Sequence, residues 1–481
     1  MAHDKQASDR QTSEQQAHGP RHLLRHPLPA DLLTPLAAYL ALRPAGASLL
    51  LESCDQGERV GRHSFVLLEG ATECRLEAPA TGWVEALRHL AGPSPEATLH
   101  DPEAVLPPLR EGLPMGVGTA GYLGFEAMGA LEPSLALPAR NSLGLPGLWV
   151  RRFDTALVFD HLHQVAELQT LDADPDAGFA RLRGLRALLL AGVSDPGPSA
   201  TAPKVIAQST REAYENSVRQ AQELILDGDI YQLVPSQRFR IEQPPPPLEA
   251  YRRLRRLNPS PYGFLLEWGD FALVGASPEM LVRVQDGEAE TLPIAGTVPR
   301  GANAEEDATR FAALKRDPKE LAEHQMLVDL ARNDLGRVAV PGGVRVEKPL
   351  ALQRTSHVLH LTTTVKAKLK PGVDALDVLA AAFPAGTVSG APKLRACQRI
   401  AEMEGEVRGP YGGVLLRLGV DGVLDTALIL RTAVYTGGAA FIQAGAGVVR
   451  ASNPASEYVE TLHKLGAIAQ ALGVTLTGGD R

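Results

Sequence analysis

Cysteine is scarce in this chain, with three residues, Cys54, Cys74 and Cys397, among 481. An odd count without close spacing excludes a disulfide framework and a thiolate zinc site, and it points to a reducing cytoplasm. No stretch of about 18 apolar residues occurs, so no transmembrane helix is expected. The opening stretch, MAHDKQASDRQTSEQQAHG, lacks the apolar core of a signal peptide. It is polar and rich in Gln, Ser and Asp, which reads as a disordered tail over residues 1–26. An excess of basic charge is also missing: 48 Lys and Arg face 56 Asp and Glu, a formal net charge of -8. That argues against a nucleic-acid binder, which needs a basic face for phosphates, and still allows a locally basic pocket for a small anion.

What is present is the composition of an ordinary globular protein, with 44% hydrophobic and 22% charged residues. Residues 27–195 mix short apolar runs with Gly and Pro punctuation, as in Ser48-Leu-Leu-Leu-Glu52 and Ala156-Leu-Val-Phe-Asp160. These read as strands. Residues 171–210 turn rich in Asp, Pro, Ala and Ser, with a helix expected over Arg181 to Leu190. The rest of that segment reads as a linker, with a domain boundary near 195–208 and a second domain over 209–472. The second domain opens on a helix: Ser209 and Glu212 form a capping-box pattern, Tyr214, Val218, Ala221 and Ile225 follow at helical spacing, and Gly228 closes it.

Some features mimic chemistry. Gly116-Val-Gly-Thr-Ala-Gly121 matches a dinucleotide fingerprint by letter, but a proline-broken segment precedes it where a strand is required, so a glycine-rich turn is expected. None of the cysteines has a base beside it in sequence, so each reads as a neutral thiol.

Two helices carry spaced carboxylates. Asp317-Pro-Lys-Glu320 is a helix start, with Asp as N-cap and Pro in the first turn. Glu320 and Glu323 share one face of that helix, offset from an apolar stripe through Leu321, Val328, Ala331 and Leu335. A second helix starts near Asn453-Pro454 and puts Glu457, Glu460 and Lys464 on one stripe. Spacing alone leaves two outcomes open: solvated faces with ordinary ion pairs, or oxygen ligands from two helices for one Mg²⁺.

From about residue 209 to 470 the chain resembles the chorismate-utilising enzymes, the family of anthranilate, aminodeoxychorismate, isochorismate and salicylate synthases. The resemblance rests on Asp229-Ile-Tyr-Gln-Leu-Val-Pro-Ser-Gln237, Ala276-Ser-Pro-Glu-Met280, Pro293-Ile-Ala-Gly-Thr297, Glu323-His324 and MLVDLARND at 326–334. It continues through Ser389-Gly-Ala-Pro-Lys393, Tyr411-Gly-Gly413, Arg431, Gln443-Ala-Gly-Ala-Gly447 and the Glu457/Glu460/Lys464 helix. Upstream, Leu50-Leu-Glu-Ser53, Gly121-Tyr-Leu-Gly124 and Phe153-Asp-Thr-Ala-Leu-Val-Phe-Asp160 resemble the large subunits of anthranilate synthases.

The resemblance implies an α+β fold in which two antiparallel β-sheets pack face to face with helices outside. It implies Glu279 as the acid, His360 as a proton-transfer or orienting group and Lys464 as a positive charge. Gly296, Thr297, Tyr411, Arg431, Gly445, Ala446 and Gly447 would contact chorismate, the glycines and Ala446 through backbone N–H groups. Glu323 and Glu460 would hold Mg²⁺, with Glu320 and Glu457 acting through water. A tryptophan pocket would form from Glu52, Ser53, Pro261, Tyr262 and Gly263, the last standing where that family often has Met. Relatives that aminate C4 of chorismate carry a lysine at the position of Ala295, and those that add water to C2 carry one at the position of Gln232. Alanine and glutamine therefore imply attack by free ammonia at C2, that is, anthranilate formation inhibited by tryptophan. An aminodeoxychorismate synthase large subunit and a catalytically idle tryptophan sensor are the alternatives. No His-x-Glu triplet of a glutaminase occurs, so ammonia is expected from a separate glutamine amidotransferase subunit.

Overall fold

Aliphatic and β-branched runs broken by Gly and Pro fold here into two large sheets, each strand burying at least one face. A computed structural model describes residues 21–53, 62–68, 70, 72–107, 113–354 and 358–476. Cys54 and residues 1–20 lie outside the described residues. Among these residues, a twelve-stranded sheet runs through Lys204–Ala207, Ser236–Glu242, Ala439–Gly445, Thr432–Thr436, Phe271–Ser277, Tyr262–Trp268 and Ala47–Glu52. It continues through His63–Leu68, Thr155–Asp160, Val165–Asp172, His22–Pro29 and Thr98–His100. A ten-stranded sheet runs from Ile294–Pro299 through Val358–Leu369, Glu288–Thr291, Met280–Gln285, Leu424–Leu428, Val414–Gly419, Gly118–Leu123 and Leu148–Phe153 to Glu73–Leu76, with Ala339–Arg354 also paired to Val358–Leu369. Both sheets draw strands from before and after residues 195–208, and the pairing is antiparallel except between His22–Pro29 and Thr98–His100.

The sheets meet over an apolar layer that includes Leu49, Phe65, Tyr122, Trp149, Phe264, Trp268 and Phe271. Trp149 of the second sheet stacks on Phe271 of the first at 4.8 Å between ring centroids. Such pairs add about 0.5–1.5 kcal/mol beyond the area they bury. Gly121 sits in this layer with φ +150°, and a Cβ there would strike the Trp149 carbonyl. The Gly116–Gly121 letters thus serve close strand packing, with Gly118–Leu123 a buried strand where a glycine-rich turn was expected. Helices cover the outer faces, and the second core cluster joins Leu182, Val218, Leu254 and Leu465 to the strands beneath them.

Several local expectations are corrected. Residues 22–26 belong to a strand, because Leu23 and Leu24 are fully buried and pair with Leu171 and Thr170. Lys204–Ala207, inside the expected linker, is an edge strand paired with Ser236–Glu242. The helix expected over 181–190 spans Pro175–Ala191, since Asp174 caps it by accepting from the N–H groups of Asp176 and Ala177. The next helix, Arg211–Leu226, is capped by Thr210 rather than Ser209, the hydroxyl accepting from the Ala213 N–H. The two carboxylate helices span Pro318–Gly336, capped by Asp317, and Pro454–Ala471, capped by Asn453. No helix of the described residues is long and apolar enough to cross a membrane.

Candidate active site

The chain crosses from one sheet to the other at Pro278-Glu279, between the strands Phe271–Ser277 and Met280–Gln285. The Glu279 carbonyl accepts from the Leu428 N–H at 3.0 Å, which fixes the crossover against the second sheet. The Glu279 carboxyl accepts a hydrogen bond from the Thr387 hydroxyl at 2.8 Å. Burial pushes its pKa up to about 7, against the pull of Thr387 and of the positive charges of Lys464 and Arg431. Those charges bring Arg431 and the second carboxylate helix into one electrostatic neighbourhood with Glu279.

Arg431 has φ +49°, a left-handed conformation uncommon for a non-glycine residue. Its side chain is half-buried, and burial lowers its pKa, opposed by Glu279. Among the described residues no hydrogen bond or ion pair engages its guanidinium. A half-buried guanidinium held in this way suits an anion brought by a ligand. Tyr411 is buried and its pKa is pushed up to about 12 by burial, opposed by the Arg408 charge and the Gly445 backbone. The Ala446 backbone likewise opposes the rise that burial gives the Tyr214 phenol. A Cβ at Gly447 would lie 2.7 Å from the Gln232 amide nitrogen, so Gln232 forms the wall opposite.

The Ile294–Pro299 strand pairs with Val358–Leu369 and carries a bulge between Ala295 and Thr297. Gly296 occupies the bulge at φ +67°, and its carbonyl lies 3.2 Å from His360 Nδ1. A Cβ on Gly296 would approach Glu320 at 3.2 Å, so this strand abuts the first carboxylate helix. Thr297 pairs with His360 through the backbone, and its side chain lies outside the described residues. Ala295, 8% exposed, pairs with Leu361 and so shares a sheet face with Thr363, on which the first carboxylate helix lies through a 2.6 Å His324–Thr363 hydrogen bond. His360 faces the other way, and burial lowers its pKa.

The four glutamates are electrostatic neighbours. Burial raises the pKa of Glu323, and the charges of Glu320 and Glu460 raise it further while Lys319 and Lys464 oppose. Burial also raises Glu457, opposed by Ser452, with Glu460 adding to the rise. Lys464 pairs with Glu460 at 2.8 Å and donates to the Gly445 carbonyl at 2.9 Å, joining this cluster to the glycine turn. Carboxylates raised by burial and by a neighbouring carboxylate charge, as Glu323 and Glu457 are, make a donor set that a divalent cation relieves. Among the described residues no group of three or more His, Cys, Asp or Glu side chains could by itself hold a metal ion. Mg²⁺ takes one or two carboxylates and fills its other positions with water and substrate oxygens.

Sequence reasoning passed over Thr387, Tyr214 and Lys319. Thr387 lies two residues before the quoted Ser389–Lys393 motif, and its hydroxyl is recognisable only from the fold. The buried Cys397 thiol is pushed up to about 12 by burial, which makes it inert.

A separate cavity of about 490 Å³ opens between the sheets, lined by all five residues expected for an effector: Glu52, Ser53, Pro261, Tyr262 and Gly263. Its charges are already matched. Arg283 and Arg417 grip Asp425 at 2.5 and 2.7 Å and, against the effect of burial, hold it well below the usual carboxylate range. Glu52 accepts from Tyr251 at 2.8 Å and from Arg255 at 2.6 Å. The Ser53 hydroxyl donates to the Pro261 carbonyl at 2.8 Å. A Cβ at Gly263 would lie 3.0 Å from the Tyr251 hydroxyl, so that phenol fills space a side chain would otherwise use.

Comparison with known proteins agrees with this geometry. Residues 46–470 match the family described as chorismate binding enzyme. The chain is 39% identical over 466 residues to an anthranilate synthase component 1 of Pseudomonas putida, covering 92% of this chain and 94% of that one. Its identity to the Thermus thermophilus protein of the same description is 42% over 465 residues, covering 93% and 97%. The crystal structure of anthranilate synthase component I from Streptococcus pneumoniae superposes with a TM-score of 0.75 at 31% identity, over 92% of this chain and 98% of that one. With the match spanning nearly all of the two sheets and the cleft between the carboxylate helices, the chain belongs to the chorismate-binding enzymes, in the company of the anthranilate synthase components 1.

Proposed function

We propose that this chain converts chorismate and ammonia to anthranilate and pyruvate, with Mg²⁺ bound and tryptophan as feedback inhibitor. The observation that carries the reading is Glu279, a carboxyl raised to about 7 in a cleft it shares with Arg431 and Lys464. Such a group is available as an acid where a hydroxide must be lost. The curated relatives named anthranilate synthase component 1 support the same activity.

Arg431 and Tyr411 hold the enolpyruvyl carboxylate in this reading, with Gly296, Thr297, Gly445, Ala446 and Gly447 against the substrate. Ammonia attacks C2 as the ring double bonds shift and the C4–O bond breaks. Glu279 gives its proton to the departing oxygen, which leaves as water. The added nitrogen then loses its extra proton. Removal of the C2 hydrogen and cleavage of the C3–O ether bond aromatise the ring, and the released enolpyruvate takes a proton to become pyruvate. His360, bonded to the Gly296 carbonyl, orients the ring side of the cleft. Glu323 and Glu460 would hold Mg²⁺, with Glu320 and Glu457 acting through water. When bound, the ion clamps the ring carboxylate and offsets its charge.

Neither Ala295 nor Gln232 can supply an amine or a strong base, which favours free ammonia over a tethered nucleophile or activated water. The ammonia comes from a glutamine amidotransferase subunit, a partner in keeping with the component 1 naming of the relatives. The five-residue cavity between the sheets is the tryptophan site. The test is to supply the purified chain with chorismate, Mg²⁺ and ammonium at alkaline pH and to follow anthranilate fluorescence. Ammonium-dependent fluorescence supports the reading, and formation of isochorismate or an aminodeoxychorismate instead refutes it.

A further inference from the structure

Arg408 is among the largest fully buried side chains, 1% exposed, and lies behind the cleft rather than in it. Its guanidinium spends its donors in four directions. It donates to the Val388 carbonyl at 2.7 Å and the Val234 carbonyl at 2.7 Å. It also donates to both oxygens of Glu404, at 2.8 and 2.6 Å. The plane lies 5.5 Å from the Tyr411 ring centroid and 4.6 Å from that of Phe125. Its own N–H donates to buried Glu126 at 2.7 Å.

Each partner belongs to a different piece of the site. Val388 adjoins Thr387, whose hydroxyl holds the Glu279 carboxyl. Val234 adjoins Leu233, which bridges Val448 behind the Gly445–Gly447 turn, and Pro235, whose carbonyl a Cβ at Gly445 would meet at 2.6 Å. Glu404 also accepts from the Ser236 N–H and hydroxyl, both at 2.8 Å. The third piece, Tyr411, packs on the guanidinium face.

We propose that Arg408 is a positioning residue that fixes the Glu279 acid, the Tyr411 ring and the glycine turn relative to one another. The proposal rests on the reading of Glu279 as the acid. A planar fork with five N–H groups can serve two carbonyls and a carboxylate at once, whereas a lysine ammonium cannot match those directions. The charged groups facing Arg408 are Glu404, Glu126 and Arg238; those facing Glu279 are Lys464 and Arg431. The message to Glu279 therefore travels through the Val388–Thr387 turn, because no ion pair joins Arg408 to it.

The test is a double-substitution cycle of Arg408→Lys and Thr387→Val on the full chain, read as chorismate consumption whatever the product. A misplacement of about 1 Å at a reacting group costs about 100-fold in rate. Folded R408K is expected to lose about that much kcat while KM for chorismate moves less than about fivefold. The double variant is expected to be no slower than R408K alone, because both substitutions break one link. If R408K does not fold, Glu404→Gln carries the same cycle, with a kcat loss of about tenfold expected and the same non-additivity with T387V. A folded R408K or E404Q with kcat within about twofold of the parent, or effects that add with T387V, overturns the proposal. Product identity in the parent is scored separately, so a parent that consumes chorismate without making anthranilate refutes the activity and not the positioning role.

Discussion

The cavity between the sheets and the cleft at the carboxylate helices treat charge in opposite ways. In the cavity every principal charge has a partner: Asp425 with Arg283 and Arg417, Glu52 with Arg255, and Asp160 with Arg62 at 2.8 Å. In the cleft, Arg431 is unpaired among the described residues and Glu279 is raised to about 7. Glu323 and Glu457 are raised there by burial and by neighbouring glutamate charges. Paired charges make a preformed wall that recognises a ligand by shape and hydrogen bonds. Crowded or unpaired charges carry a cost that a charged ligand removes, which is where catalytic chemistry collects. The two regions still share strands. Tyr262 of the cavity pairs with Ser277, and Ala427 pairs with Met280, on either side of Glu279.

The largest expected effect lies at the carboxylates proposed to hold Mg²⁺. Glu323→Gln and Glu460→Gln are each expected to lower turnover more than about 100-fold at ordinary Mg²⁺, with the fold intact. Circular dichroism and the rate at raised Mg²⁺ check this; parental rates in either variant contradict the ligand assignment. Ala295→Lys follows, with anthranilate formation expected to fall about 100-fold while chorismate binding, held by Arg431 and Tyr411, falls much less. Isothermal titration beside the rate assay separates the two, and a parental rate would show that residue 295 does not face C2.

The cavity side gives a smaller, selective effect. Ser53→Phe removes the hydroxyl that donates to Pro261 and fills the cavity. It is expected to raise the half-inhibiting tryptophan concentration about tenfold or more with kcat unchanged. Equal loss of rate and inhibition would show that the two regions are not separable.

The smallest effects concern pH. Glu279 must carry its proton to act, so kcat/KM at saturating free ammonia falls as pH rises through about 7. Thr387→Val removes a donor that favours the ionised form, so this limb moves to higher pH. The same group also affects stability. Its folded pKa lies above the unfolded carboxylate value, so the folded protein holds the extra proton and stability falls as pH rises from about 4.5 to 7. Glu279→Gln should therefore lose turnover yet melt higher than the parent at pH about 8, by up to about 3 kcal/mol in stability.

Much of this was legible in the sequence. The caps Asp317 and Asn453, the Glu-x-x-Glu spacing and the ordered family motifs define both carboxylate helices without coordinates. The strand at 22–29 was not, because two buried leucines inside a polar opening make too short a signal. Thr210 displaced Ser209 as cap because neighbouring hydroxyls read alike until the backbone direction is known. Thr387 and Arg408 make their contacts 108 and 174 residues away in the chain, which no local pattern encodes.

One dose–response tests the separation of the regions together with the activity itself. Ammonium-dependent anthranilate formation is followed while tryptophan is titrated into the parent chain and into S53F. The account predicts equal rates without tryptophan, full inhibition of the parent, and a curve for S53F displaced about tenfold or more to higher concentration. A parent chain that makes no anthranilate, or one that tryptophan does not inhibit, would contradict it.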